Sequence, residues 1–167
     1  MSKKNSKSST YIRPSWDEYF LQMVEIIGSR GTCDRGRAGA VITKNKRILA
    51  TGYVGAPVGL PSCDEVGHEL QTVTDEEGIT SKHCIRTAHA EQNAINNAAR
   101  IGVAIEGGTI YCKLAPCYKC AQSIINSGII RVVSIKDYHG ASRTKEIFKQ
   151  ADMEFEVLGE METYKDM

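Results

Sequence analysis

Two short motifs constrain this chain more than anything else in it: His89-Ala90-Glu91 and, further on, Pro116-Cys117-Tyr118-Lys119-Cys120. Cys117 and Cys120 stand three residues apart at a helix start, a spacing that sets both thiols on one helical face. The positive end of a helix favours thiolate over thiol, and thiolate is the form that binds metal. His89 opens the helix before. For the imidazole and the two thiolates to meet, the N-termini of two neighbouring helices must arrive at the same edge of one sheet, an arrangement that an α/β unit provides. Three such ligands leave the fourth position of a tetrahedral zinc open for water, as a catalytic zinc requires. Glu91, two residues past the histidine, need not touch the metal and is placed for proton transfer beside it. A lone C-x-x-C also fits a structural zinc half-site or a redox pair, and a lone H-A-E carries little information. The two in this order, each opening an expected helix with a strand between, are far more specific.

The remaining pattern supplies the frame. Ser15 is a natural N-cap with Asp17 and Glu18 in the first turn, and Trp16, Phe20, Met23, Val24 and Ile27 recur at helical spacing up to Gly28. Residues 39–43 and 47–53 read as a hairpin about Lys44-Asn45-Lys46. The spacing predicts a helix from about His89 to Arg100, stopped near Gly102, and a strand over 109–112. A helix follows over 116–127, with Pro at its start and Gly128 just past its end. Then come a strand buried on both faces over 129–135, a helix over 142–151 and a short strand over 154–157. This order, α-β-β-α-β-α-β-α-β, predicts helices on both faces of one mixed sheet. Cys112, among Ile110, Tyr111 and Leu114, reads as core. Residues 55–85, rich in Gly and Pro and carrying the acidic run Asp75-Glu76-Glu77, read as an irregular insertion. A stretch of that length needs something to order it, and a metal could.

The organisation read from this is a disordered tail over 1–13, one domain over 14–158, and a C-terminal tail over 159–167. The 167 residues suffice for one buried core. A net charge of +1 argues against a nucleic-acid polymer as partner. It leaves room for a small anionic ligand, which needs only one or two local cations. No apolar run approaches the roughly 18 residues of a membrane span, and the basic, Ser-rich start has no apolar stretch of a secretory signal behind it. Six cysteines without such a signal point to metal ligation in a reducing cytoplasm rather than to disulfides.

With its H-x-E and P-C-x-x-C motifs, and with Gly39-Ala40-Val41-Ile42, Gly52-Tyr53-Val54-Gly55, His89-Ala90-Glu91-Gln92-Asn93-Ala94-Ile95 and Ser127-Gly128-Ile129, the chain resembles the cytidine deaminase superfamily. Within it, the chain is similar to the deoxycytidylate deaminases of bacteria and phages, over about residues 16–157. The resemblance implies a three-layer α/β/α sandwich around a mixed five-stranded sheet. It implies hydrolysis of dCMP to dUMP and ammonia, with zinc held by His89, Cys117 and Cys120 and Glu91 moving the proton. It also implies a hexamer activated by dCTP and inhibited by dTTP, with magnesium accompanying the triphosphates. Two positions depart from the relatives: Ala115 stands where they often have Glu, and Val54 where they often have Asn. Val54 cannot make the hydrogen bond an Asn would.

Similar deaminases build a second, structural zinc from the insertion, and a closed site needs four ligands. The expected set is Cys33, Cys63, His68 and Cys84, with His83 as a substitute; neighbours 83 and 84 would strain a tetrahedral chelate if both bound. Substrate contacts are expected from Arg35 and Arg37 before the first strand and from Tyr138 and His139 after the fourth, since ligands of open α/β sheets gather beyond strand C-termini. Effector contacts are expected at Tyr53, Gly55, Asn97 and Arg100. The motifs alone leave other substrates open: dCTP, guanine, tRNA adenosine, or a pterin or riboflavin precursor. They also leave open a non-catalytic zinc subunit, against which Glu91 argues.

Overall fold

The computed structural model describes residues 11–74 and 80–159 and the backbone of 161–162. Helix α1 (Trp16–Gly28) begins where capping chemistry dictates. Glu18 N donates to Ser15 Oγ at 3.2 Å and Ser15 N to Glu18 Oε2 at 2.7 Å, which satisfies two orphan donors reciprocally. Strands β1 (Gly39–Lys44) and β2 (Arg47–Tyr53) form an antiparallel hairpin. Asn45 and Lys46 both take positive φ, 52° and 62°, the two-residue turn whose hand matches strand twist. There follow α2 (Cys63–Val66), β3 (Leu70–Thr74), β4 (Thr80–Cys84), α3 (Ala90–Ile101), β5 (Thr109–Leu114), α4 (Tyr118–Asn126) and β6 (Arg131–Tyr138). A 3-10 turn (His139–Ala141), α5 (Ser142–Gln150) and β7 (Glu154–Val157) complete the domain, and a two-residue β8 (Met161–Glu162) pairs with the end of β6.

The main sheet runs β2-β1-β5-β6-β7. β1 is antiparallel to β2 and β5, whereas β5, β6 and β7 are mutually parallel. Alternation along the central strands decides the layers. Ala40, Ile42, Ile110, Cys112 and Val132 pack with Ala90, Ala94, Ala98, Ala121, Ile124 and Phe148 of α3, α4 and α5. Val41, Tyr111 and Val133 pack on the other side with Phe20, Leu21 and Val24 of α1. The result is the three-layer α/β/α sandwich expected, with a five-stranded mixed sheet. Two glycines permit its close contacts. A Cβ on Gly39 would lie 2.3 Å from Val24 O of α1, and one on Gly52 would lie 2.3 Å from Ala90 O of α3.

The topology brings the chemistry to one edge. β5 and β6 are parallel, so both end there. β1 is antiparallel to β5 and therefore starts there, and β2, antiparallel to β1, ends there. Residues 33–38, 54–88, 115–117 and 137–141 thus leave or enter the sheet at the same edge. The backbone bridge between Gly55 and Ala88 ties the start of α3 to it.

Three expectations need correction. The stretch 55–85 is not irregular throughout: α2 and the antiparallel hairpin β3–β4 lie within it. Its sheet side chains are largely exposed, so burial leaves no alternation in the sequence. Helix α4 starts at Tyr118, not at Pro116, because Cys117 takes the extended N-cap conformation, φ −68° and ψ 164°. β6 runs over 131–138 rather than 129–135, since its C-terminal half extends past the end of β7 and continues to pair with β5 and β8. Residues 1–10, the acidic run at 75–79, residue 160 and residues 163–167 lie outside the described residues, and with them most of both expected tails. Among the described residues no helix is long and apolar enough to cross a membrane.

Candidate metal centre and active site

His89 is the N-cap of α3 and Cys117 the N-cap of α4. His89 N donates to Gln92 Oε1 at 3.0 Å, so the side chain of the third helical residue closes the cap and the imidazole stays free to turn toward α4. Its Nδ1 lies 3.5 Å from Cys117 Sγ and 3.4 Å from Cys120 Sγ. The three ligand atoms all fall within 4.8 Å of one another. The cluster spans the boundary between solvent and core: His89 is exposed, Cys117 half-buried and Cys120 buried. Glu91 is buried in the first turn of α3, and Cys120 Sγ approaches its Oε2 at 3.7 Å.

The electrostatics follow from this packing. A hydrogen bond from Cys120 draws Cys117 down to about 4, against burial and with help from the His89 imidazole. The Cys117 thiolate in turn raises His89 to about 9, against burial. Burial raises the Glu91 carboxyl above the usual carboxylate range, opposed by the His89 charge. One thiolate, an adjacent imidazole and a second thiol form a donor set suited to a soft, tetrahedral cation such as zinc. Ala115 is buried two residues before Cys117, its N donating to Lys136 O at 2.9 Å.

A second cluster lies in the insertion. Cys33, Cys63, His68 and Cys84 offer four ligand atoms within 4.8 Å of one another. Cys63 Sγ is 3.5 Å from Cys84 Sγ, and Cys33 Sγ is 3.7 Å from His68 Nδ1. The other ring nitrogen, His68 Nε2, pairs with Asp34 Oδ1 at 3.0 Å. A carboxylate behind an imidazole is the usual way a metal-binding histidine is oriented. Burial pushes the Cys63 thiol up to about 12 and raises Cys33 as well. Cys84, against the same burial, is drawn down to about 7 by backbone hydrogen bonds from Glu69 and Arg86. His83 is not among the four: its Nε2 pairs with Ser81 Oγ at 2.9 Å. Cys112 lies in the core, where burial pushes its thiol far up, and all six cysteines are free thiols.

The other expected residues divide. The Arg37 guanidinium donates to Gly31 O and pairs with Asp64 Oδ1 at 3.2 Å, so it ties α2 to the loop that follows α1. Arg35 Nη2 donates to Lys82 O at 3.0 Å, against the inner hairpin strand. The rings of Tyr138 and His139 pack at a tilt of 57° with centroids 4.4 Å apart at the end of β6, next to the segment that carries Cys117. Asn97 Nδ2 donates to Thr51 O at 2.8 Å, and the main chain of Tyr53 accepts from Asn93 Nδ2 at 2.8 Å. Both amides staple α3 to β2. Gly55 is half of the Ala88 bridge, and Arg100 is exposed in the last turn of α3. Asp34 sits in no motif whose spacing singles it out, and Asn93, although inside the stretch 89–95, is given no contact by that spacing.

Residues 14–136 match the family described as the cytidine and deoxycytidylate deaminase zinc-binding region. ComE operon protein 2 of Bacillus subtilis (strain 168) is 36% identical over 146 residues, which cover 87% of this chain and 72% of that protein. The deoxycytidylate deaminase of Mycobacterium phage D29 is 38% identical over 127 residues, covering 75% of this chain and 98% of that protein. The chain spans under half the length of the two curated yeast relatives it matches. Among solved structures, the dCMP deaminase of cyanophage S-TIM5 in complex with dCMP and dUMP superposes with a TM-score of 0.69 at 26% identity, over 88% of this chain and 99% of that one.

Proposed function

The chain belongs to the cytidine and deoxycytidylate deaminase zinc-binding family, and from that premise we propose that it hydrolyses dCMP to dUMP and ammonia. One observation carries the reading: a buried carboxyl, Glu91, stands beside a three-donor cluster that reaches the surface at His89. His89 Nδ1 and the thiolates of Cys117 and Cys120 hold zinc, which when bound supplies Lewis acidity and lowers the pKa of a water molecule. Glu91 accepts a proton from the attacking water and delivers it to N3 as the C4–O bond forms, then carries the remaining hydroxyl proton to the amino group, so that the C4–N bond breaks, C4=O is left and ammonia departs. Its burial suits this, because a carboxyl with raised pKa holds the proton between the two transfers. The test is ammonia release from dCMP against dCTP, deoxycytidine, guanine and adenosine-containing RNA. The expected result is the highest kcat/KM on dCMP; a higher value on any other replaces it.

Three further parts of the reading go with this. Cys33, Cys63, His68 and Cys84 form a closed four-ligand site for a second zinc, supported by the Asp34–His68 pair. The enzyme is a cytoplasmic hexamer, and it responds to dCTP as activator and dTTP as inhibitor, with magnesium bound to the triphosphate. The effectors contact the seam between β2 and α3 at Tyr53, Gly55, Asn97 and Arg100. An effector shifts an equilibrium only by its differential affinity for two states, typically about 1 to 3 kcal/mol. Saturation curves for dCMP are expected to be sigmoidal, steeper with dTTP and flatter with dCTP. Hyperbolic curves unmoved by either would show an unregulated enzyme.

A further inference from the structure

A short run of hydrogen bonds joins the two clusters, and Thr32 stands in the middle of it. Thr32 immediately precedes Cys33 of the second cluster. Its main-chain O accepts from the N–H of Asp64 at 3.3 Å, and Asp64 follows Cys63 of the same cluster. Its own N–H donates to Val54 O at 3.0 Å, and its Oγ1 accepts from Ala56 N at 3.4 Å. Between those two contacts lies Gly55, which exchanges both backbone hydrogen bonds with Ala88. Ala88 N donates to Gly55 O at 3.0 Å and Gly55 N to Ala88 O at 3.3 Å. Ala88 immediately precedes His89, a ligand of the first cluster.

The packing along this run is close. A Cβ on Gly55 would come within 3.1 Å of Thr32 Oγ1, and one on Gly31 within 3.0 Å of Val54 Cγ1. The loop at 31–32 and the segment at 54–56 therefore move together. What holds the two ends differs. Asp64 lies on the four-residue α2, inside an insertion whose hairpin strand β3 is exposed throughout. Such elements have little stability of their own, so their place depends on the cluster they share. The segment 54–56 lies past the end of β2, on the side where the first cluster reaches the surface at His89. Coupling between two sites is carried by chains of packed groups and hydrogen bonds of this kind.

We propose that Thr32 is a positioning residue that passes the order of the second cluster to the segment 54–56 beside His89, so that a filled second cluster tightens nucleotide binding at the first. Thr32 acts through Gly55 and Ala88. The nucleotide rests on the deaminase reading; the link between the clusters does not. The metal ligands of the first cluster keep their places when the link is cut, because α3 and α4 are packed on the sheet. What loosens is the chain beside them. The insertion thereby gains a task beyond its own stability.

The experiment follows amide hydrogen exchange by mass spectrometry in the full-length zinc-loaded protein and in its Cys63→Ser, Thr32→Val and Thr32→Ser variants. Zinc content and the kcat and KM for dCMP are measured in each. In Cys63→Ser, exchange at 54–56 and at Ala88 is expected to accelerate about 5- to 150-fold, the usual span of coupling between sites. Exchange at β7, on the opposite edge of the sheet from β2, should change far less. KM should rise while one zinc per chain is retained. Thr32→Val keeps both metals and the size of the side chain but loses the hydroxyl acceptor. Loss of that one hydrogen bond is expected to raise KM and Ala56 exchange about 2- to 10-fold, and Thr32→Ser, which keeps the hydroxyl, should restore both. Asp34→Asn at limiting zinc supplies the same comparison where Cys63→Ser does not fold. Unchanged exchange at 54–56 and Ala88 on loss of the second metal overturns the proposal. So does an equal acceleration at β7, which would mark a general loss of stability, and so does a Thr32→Ser variant no better than Thr32→Val. A protein that does not deaminate dCMP overturns the functional reading instead, and the exchange data then decide the link by themselves.

Discussion

The two Cys/His clusters use similar donors on opposite kinds of scaffold. His89, Cys117 and Cys120 sit at the starts of α3 and α4, helices fixed by Ala90, Ala94, Ala98, Ala121 and Ile124 packed on the sheet. Cys33, Cys63, His68 and Cys84 sit on a loop, a four-residue helix, a turn and a strand of a two-stranded hairpin. Every residue of β3 is exposed. A helix as short as α2 is unstable alone, and an isolated hairpin is marginal at best. The first cluster is therefore shaped by the core before any metal arrives, whereas the second must help to shape its own surroundings. A metal adds chemistry to a finished frame in one place and completes the frame in the other.

The largest effect that separates the two is expected from Glu91→Gln. Glu91 contributes no ligand atom to either cluster, so both metals stay while the proton carrier is lost. Turnover of dCMP should fall about 100- to 10,000-fold, with zinc per chain unchanged by elemental analysis. Near-normal turnover in the zinc-loaded variant would remove Glu91 from the chemistry. Cys63→Ser is the complementary test. It should lower the metal content from two zinc ions per chain to one and remove the stabilisation that binding confers. At a thousandfold excess of free metal over Kd that stabilisation is about 4 kcal/mol, readable by denaturant titration with and without chelator. One zinc per chain in both proteins, with equal stability, would collapse the contrast.

What the sequence discloses divides along the same line. The frame is legible because local chemistry and burial agree: Ser15 with Glu18 caps α1, Asn45-Lys46 turns the first hairpin, and alternation in β1, β5 and β6 serves a sheet covered on both faces. The first cluster is legible because its ligands sit at fixed spacing on those elements. The insertion is not, since β3 and β4 bury little and so show no period. The Thr72-Val73-Thr74 and Thr80-Ser81 runs on either side of an acidic, Gly-containing stretch are the available signal. The side of β4 on which His83 falls depends on where Cys84 is held. That is a tertiary fact, invisible in a dipeptide where either residue could be a ligand. The ion pair of Arg37 is hidden for a related reason: its partner Asp64 lies on α2, a helix that the pattern of the insertion does not reveal.

A smaller effect probes how firmly the second cluster is held. Asp34 pairs with His68 Nε2 at 3.0 Å and so sets the orientation of the nitrogen that faces the thiols. Asp34→Asn keeps a side chain of the same size and removes the charge. Metal affinity at that cluster should drop about 10- to 100-fold, measured by competition with a metal buffer, while the metal at His89, Cys117 and Cys120 is retained. Equal loss at both clusters would mean that they are not independent.

The smallest effect tests the frame itself, at the edge of the sheet away from both clusters. Arg131, at the start of β6, pairs with Asp17 Oδ1 at 2.9 Å, Glu154 Oε1 at 2.7 Å and Glu156 Oε1 at 2.6 Å, and Tyr111 Oη donates to Asp17 Oδ1 at 2.6 Å. The hydrogen bonds from Arg131 hold the Asp17 carboxyl below its ordinary range, against burial, and lower Glu156 too. A carboxyl whose folded pKa lies below its unfolded value stabilises the native state above the unfolded pKa, about 3.9 for Asp, and ceases to do so as pH falls through the folded value. The Asp17 side chain is 33% exposed, so solvent screening limits the contribution to about 1 kcal/mol. Asp17→Asn should therefore lower Tm by roughly 2 to 4 °C at pH 7, and the gap from the unaltered protein should close as the pH is taken below about 4. Kinetic constants on dCMP and zinc content should not move, because the opposite end of β6, at Tyr138, is the end that borders the first cluster. A rise in KM or a loss of metal in this variant would show that the two ends of β6 are coupled. The frame would then be a participant in the site rather than its fixed support.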